Sequence, residues 1–294
     1  MEERLPKGTL GGQAVIEGVM MKGPDSYSVA VRKPDKKIEV KLHQYESFGD
    51  RHKFAKVPFI RGVVSFVESL VVGMKTLSYS SSFYDEDEVE TKADRLFKDI
   101  FKEKAESVIL GFTILLSVVI AVALFMLLPA AIAEILGKWI SSHVLVAVIE
   151  GIIRLLIFLI YVVLISQMED IKRVFMYHGA EHKTINCYES GDDLTPENVA
   201  KHSRYHKRCG TSFLFIVMIV SIFVFMFITA KQMWLRFLLR LVLIPVVAGI
   251  SYEFIRLAGR SENPVVNALS KPGLWVQKLT TKEPEEEMIQ VAII

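Results

Sequence analysis

The chain has 294 residues, is 51% hydrophobic, contains two cysteines and carries a formal net charge of +2. Its mean hydropathy is +0.36, and the apolar residues are bunched into long runs instead of being scattered on amphipathic patterns. These features exclude an ordinary soluble enzyme, a disordered chain, a disulfide scaffold and an electrostatic binder of nucleic acid.

From the N-terminus, residues 1–56 read as a small β unit. Gly11–Met21 is apolar and punctuated by glycine, and Tyr27–Lys33 and Lys37–Tyr45 are strand-like runs around the turn Pro34-Asp35-Lys36. No apolar run occurs in the first 50 residues, so no cleavable signal is expected there. Val57–Ser80 is apolar apart from Arg61, Glu68 and Lys75, spaced by seven. On a helix these form one stripe, which predicts an amphipathic interfacial helix over 57–80 in preference to a membrane span. Residues 81–106 read as an acidic linker (Tyr84–Glu90) and a basic juxtamembrane helix.

Four membrane helices are expected: Ser107–Leu128, ended by Pro129; His143–Ile165, carrying Glu150 and Arg154; the charge-free Ser212–Ala230; and Trp234–Ser251, with Arg236, Arg240 and Pro245. A run of about 20 apolar residues matches a bilayer core, and backbone in lipid must satisfy its own hydrogen bonds. The 166–211 connection holds seven lysines and arginines, against Lys138 in the preceding connection and Lys231 in the following one. The positive-inside rule then puts that loop and both termini in the cytoplasm, in the plasma (inner) membrane. Glu150 and Arg154, one turn apart, are expected to form a charge-balanced intramembrane pair. The tail 252–294 is expected to be cytoplasmic, with Met288–Ile294 adding an edge strand to the β unit. The fold class is therefore a membrane α-helical bundle with a cytoplasmic helical hairpin and a small N-terminal β unit.

The hairpin carries the chemistry. Met168–Glu189 reads as a helix running on from the second span and ending at Gly191. Thr195-Pro196 reads as the cap and first turn of a second helix reaching about Arg208. Four of seven histidines and both cysteines lie between His178 and Cys209, where chance would place about one of the nine. His178-Gly179-Ala180-Glu181-His182 sets two histidines four apart on one helical face, able to share an ion. In the inverted zincin pattern the acid activates a water on the metal. His206 and Cys209 would come from the second helix, with His202 a further candidate. Zinc suits such mixed nitrogen and sulfur ligands. Cys187 reads as a buried small residue.

Several stretches together resemble the YqhQ family of bacterial multi-pass membrane proteins of unknown function, catalogued as predicted metal-dependent enzymes. They are GGQAVIEGVMMKGP at 11–24, RVFMYHGAEHKTINCYE at 173–189, RCGTSF at 208–213, SYEFIRLAGR at 251–260 and PGLWVQKLTTKEP at 272–284. The resemblance covers nearly the whole chain and implies a multi-pass plasma-membrane protein. His178, Glu181, His182, His206 and Cys209 stand where its pattern expects them, and Glu17 and Glu253 lie in matching segments as further acidic candidates.

The functional expectation is a membrane protein with a cytoplasmic-face metal centre, a metal-dependent hydrolase of unknown substrate. His178, His182, His206 and Cys209 would hold a divalent ion, zinc by ligand type, and Glu181 would act as general base. The alternatives are a non-enzymatic scaffold for other membrane proteins, and a transporter using Glu150 and Arg154. The bilayer is the expected partner, and nucleic acid is not.

Overall fold

The structure is a computed structural model that describes residues 5–84, 105–228, 230, 232–261 and 263–294. The acidic run at 85–90, the basic residues Arg95, Lys98, Lys102 and Lys104, and Lys231 lie outside these residues. The chain forms two compact units, one of 1–84 with 159–294 and the other of 85–158.

In the first unit, β1 (Gly11–Val15), β2 (Gly18–Lys22), β3 (Ser26–Arg32) and β4 (Ile38–Gln44) make an antiparallel meander in sequence order. Glu17, at φ 48°, turns β1 into β2, and Val15 faces Gly18 across that turn. Strand alternation sends Val19 and Ala30 to one face and Val15, Met20, Val29 and Val31 to the other. Both faces are covered, so the sheet is the middle layer of this unit. After the short α1 (Phe48–Arg51), α2 (Ile60–Ser81) lays Val72 against the second face.

The second unit contains α3 (Ala105–Val122), a π turn at Ala123–Leu127 and α4 (Leu128–Gly137). The helix does not stop at Pro129 as the sequence suggested. The π turn carries it past the proline, whose missing N–H would otherwise serve the Phe125 carbonyl four residues back. Arg154 Nε donates to that carbonyl at 3.1 Å. Arg154 comes from α5 (His143–Ile165), and its Nη2 also donates to Glu150 Oε1 at 3.0 Å, with both residues buried. The Glu150–Arg154 pair read from the sequence is thus formed, and it does a second job beside the proline.

The first unit resumes with α6 (Glu169–Ser190), α7 (Pro196–Lys201), α8 (Gly210–Phe225), α9 (Met233–Arg260), α10 (Pro264–Thr280) and α11 (Glu286–Ile293). Among the described residues, three helices are long and apolar enough to cross a membrane: Gly111–Gly137, His143–Ile165 and Trp234–Arg260. The expected third span is the shorter α8, apolar over 16 residues, and the expected fourth is longer than Trp234–Ser251.

α2 has two distinct faces. Gly62, Val72, Gly73, Thr76 and Ser80 are buried, while Val67, Leu70, Val71, Met74 and Leu77 form an exposed apolar stripe. Two of its charges turn toward protein. Arg61 pairs with Glu253, and Glu68 accepts from Ser47 Oγ at 3.0 Å and Phe48 N at 2.5 Å.

The C-terminal segment does not add a strand. α11 is helical, with Glu286 and Glu287 in its first turn, and buries Met288, Ile289, Val291 and Ala292. It packs with Val19, Ala30, Tyr177, Ala180 and Val199, completing the first face of the sheet. The chain leading to it crosses α6 so closely that a methyl group at Gly179 would overlap the Lys282 carbonyl.

Candidate metal centre

α6 supplies three groups of the site. Its first turn holds Glu169 and Asp170, favourable against the helix dipole, and Gly191 ends it in the left-handed conformation at φ 93°. His178, Glu181 and His182 therefore share one side of a regular helix, with the two imidazole centroids 4.4 Å apart. Cys209 is the N-cap residue of α8, where the helix dipole favours a thiolate.

The backbone orients each ring. His178 Nδ1 lies 2.8 Å from the Thr280 carbonyl, and His182 Nδ1 lies 2.7 Å from the Arg204 carbonyl. A carbonyl can only accept, so both Nδ1 atoms carry a proton and both Nε2 atoms are turned toward the cluster. The two Nε2 atoms point to one place. His178 Nε2 is 3.2 Å from Cys209 Sγ, and one ligand atom from each of His178, His182 and Cys209 lies within 4.8 Å of the others. Glu181 Oε2 stands 3.8 Å from His178 Nε2 and 3.9 Å from His182 Nε2.

The charges are mutually tuned. Burial opposes a proton on the His178 ring, but Cys209 and then Glu181 outweigh it and lift the pKa to about 9. His182 is raised in the same way, with burial opposing and Glu181 and Cys209 prevailing. Burial would raise the Cys209 thiol, yet His178 and His182 hold it well below the usual thiol range. The cluster is thus a buried thiolate beside two imidazoles that it holds toward their protonated form.

A cavity of about 640 Å³ opens on these groups, lined also by Gln13, Lys22, Phe175, Leu214 and Arg208. β1 forms one wall. A methyl group at Gly12 would come within 2.6 Å of Glu181 Cγ and Oε1, so only a bare backbone can pass there.

Of the other candidates, His206 lines the same cavity and the rest fall elsewhere. The expected second helical arm ends at Lys201, and 202–209 is irregular. His206 is consequently not one turn from Cys209 on a helix. Its ring centroid is 5.7 Å from that of His182, and its Nε2 faces Glu189 Oε2 at 3.7 Å. His202 Nε2 is paired with Asp192 Oδ2 at 2.8 Å and groups with Asp192 and Cys187, apart from the main cluster. Glu17 is held by Arg173 and Tyr177, and Glu253 by Arg61. Neither acid belongs to the cluster.

Sequence reasoning missed the support given by α10. Gln277 Oε1 accepts from His206 N at 2.9 Å, and its Nε2 donates to His206 O at 2.7 Å and Ser212 Oγ at 2.8 Å. Gln277 sits in the matching stretch PGLWVQKLTTKEP, but nothing in its spacing to residue 206 could have paired them.

Sheet, cluster and apolar helices together define a helical protein with candidate membrane-spanning segments and an N-terminal antiparallel sheet. The chain belongs to the family described as a protein of unknown function, DUF1385, whose model matches residues 57–294. It is 39% identical over 286 residues to the uncharacterized protein YqhQ of Bacillus subtilis (strain 168), covering 96% of this chain and 89% of that one. No solved structure matches.

Proposed function

We propose that this protein is a metal-dependent hydrolase of the membrane surface, with His178, His182 and Cys209 as ligands of one zinc-like ion and Glu181 as general base. The observation that carries the reading is the pair of Nδ1–H···O=C bonds, which turns both Nε2 atoms toward one thiolate, where a metal ion would take the place of their protons. A zinc ion with bonds of about 2.0–2.1 Å to nitrogen and 2.3 Å to sulfur at tetrahedral angles sets N and S about 3.5 Å apart. The 3.2 Å between His178 Nε2 and Cys209 Sγ is within a few tenths of that spacing. Three protein ligands leave a fourth position open, as catalytic sites do and structural ones do not. An ion there would bring the pKa of a water toward neutrality. With an ion held there, Glu181, near both Nε2 atoms, would serve as the base that takes a proton from water and gives it to the leaving group.

The membrane part of the reading is four crossings with both termini cytoplasmic. α8, at 16 residues, is about 24 Å long at 1.5 Å per residue, which local bilayer thinning accommodates. Supporting this, Cys209 at the start of α8 belongs to the cluster, and Arg260 at the end of α9 lines one cavity with Arg208. The cluster would then lie on the cytoplasmic side, against the headgroups.

Elemental analysis of protein purified without chelator tests the centre. The parent should carry about one transition-metal ion per chain, as a single three-ligand site requires. His178→Ala, His182→Ala and Cys209→Ser should each lose most of it, since losing a ligand exceeds the 10–100-fold typical of its supporting partners. His206→Ala should keep the ion, because His206 faces Glu189. Glu181→Gln should also keep it but fail to restore function in cells lacking the parent gene. A metal-free parent would end the reading. A metal-replete Glu181→Gln variant with full cellular function would make the ion structural.

A further inference from the structure

A second cavity, of about 710 Å³, adjoins the first. Leu10, Gly11, Lys22, Ser69 and Arg208 line both, so one wall separates them. Six cationic side chains line the second cavity, namely Lys22, Lys56, Arg61, Arg208, Arg256 and Arg260, and no carboxylate does among the described residues. Two of the arginines are compensated from behind the wall, Arg61 by Glu253 and Arg208 by Glu189 at 2.5 Å. Arg256 and Arg260 make no ion pair among the described residues. Lys22 is half-buried, and burial, opposed by Glu68, holds its pKa below the ordinary lysine value. An anion beside it would relieve that desolvation.

The depth of the cavity follows from α9. From Trp234 to Glu253 is 253 − 234 = 19 residue steps, about 29 Å on a helix. That matches a hydrocarbon core of roughly 30 Å, with the tryptophan at one interface. Arg256 and Arg260 then project one and two turns further, at headgroup level. The exposed apolar stripe of α2 (Val67, Leu70, Val71, Met74, Leu77) borders the same cavity through Val64, Ser65 and Ser69 and suits the surface of the acyl region.

We propose that the basic cavity seats the phosphate headgroup of a membrane lipid and presents that lipid to the neighbouring cluster of His178, His182 and Cys209. The inference deepens the hydrolase reading by naming its substrate class as a phosphate-bearing lipid. Guanidinium groups bind phosphate through paired charge-assisted hydrogen bonds, and five N–H donors on each of Arg256 and Arg260 are available for that use. A soluble phosphate ester offers the same chemistry without the acyl chains, so the test separates the two sources.

The experiment measures thermal unfolding of the purified full-length protein in phosphatidylcholine nanodiscs. Phosphatidic acid is titrated into the discs, and inorganic phosphate is titrated into the buffer. Phosphatidic acid should raise the unfolding temperature saturably, at a mole fraction where inorganic phosphate at matched total concentration has no effect. Arg256→Gln and Arg260→Gln should each weaken the response about tenfold, as expected for losing one charge-assisted contact. Arg260→Lys, which keeps the charge without the fork, should retain only part of it. Unchanged unfolding in pure phosphatidylcholine discs shows that these variants fold. Cys209→Ser should lose the ion yet keep the lipid response, so failure of the metal reading registers in elemental analysis and not here. Equal stabilisation by inorganic phosphate, or an undiminished response in the double variant Arg256→Gln/Arg260→Gln, would overturn the proposal.

Discussion

His178 and His182 show what local spacing can specify. Four residues apart on a helix they must share a face, and Glu181 must lie beside them, so that half of the cluster was legible from the sequence. Cys209 was reached through its place three residues after His206 on an expected second helix; that helix ends at Lys201, and Cys209 meets His178 as the N-cap of α8 instead. His206 was misplaced for a physical reason. His182 Nδ1 takes the Arg204 carbonyl, and Asn186 Nδ2 takes the carbonyls of Ser203 and Tyr205. Those carbonyls are available only because 202–209 has left the helix. A tertiary demand for acceptors overrode the local pattern. Glu189 carries a prediction at this scale. Burial would raise its pKa, but His206, Arg208 and the Gly8 N–H hold it down to about 2. A carboxyl whose folded pKa is depressed stabilises above its unfolded value and loses that contribution as pH falls toward the folded one. The stability gap between parent and Glu189→Gln should therefore shrink between about pH 4.5 and pH 2. Unfolding midpoints measured at both ends check it, and a gap independent of pH would refute the assignment.

Among elements, the clearest readings came where one period dominated. The β3–β4 hairpin and α5 fell within a residue or so of expectation, and Thr195 caps α7 by accepting from Asn198 N as its sequence suggested. The C-terminal run was harder. Met288, Val291 and Ala292 follow a helical period, but the segment is so short that an apolar run there reads equally as a strand. Burial against α6 and the sheet decides it. The helix through Pro129 was unreadable because its continuation depends on a π turn. That helix and α5 are coupled through Arg154, which serves both Glu150 and the Phe125 carbonyl. Glu150→Ala should lower protein levels in membranes, since truncating one member of a buried pair typically costs about 3–5 kcal/mol. The swap Glu150→Arg with Arg154→Glu should restore levels only in part, because glutamate cannot donate to Phe125. Quantitative blotting of membrane fractions reads both. Normal accumulation of Glu150→Ala together with lost function would favour a transport role for the pair.

On the scale of the whole molecule, the proposed sidedness rests on the charge bias between loops, seven lysines and arginines at 166–211 against Lys138 and Lys231. A cysteine introduced at Ser190 should resist impermeant maleimide applied to intact cells, whereas one introduced at Lys138 should be labelled. The reverse pattern would invert the topology, and protection of both would reduce the crossings. The matching stretch at 272–284 marked the C-terminal segment, but no spacing tied it to the site, since the contacts that enlist it link residues about seventy to one hundred positions apart. The centre is drawn from across the chain: Gly12 walls it, α6 and Cys209 supply its donors, and the Thr280 carbonyl fixes the His178 ring. Translation runs in that same order, and the ribosomal tunnel still encloses Thr280 when the donors have already emerged. A nascent or prematurely terminated polypeptide therefore has the side chains for an ion but not the orientation of them. Assembly of the cluster thus waits on α10, and a chain cut short of it leaves the His178 ring without the acceptor that holds it.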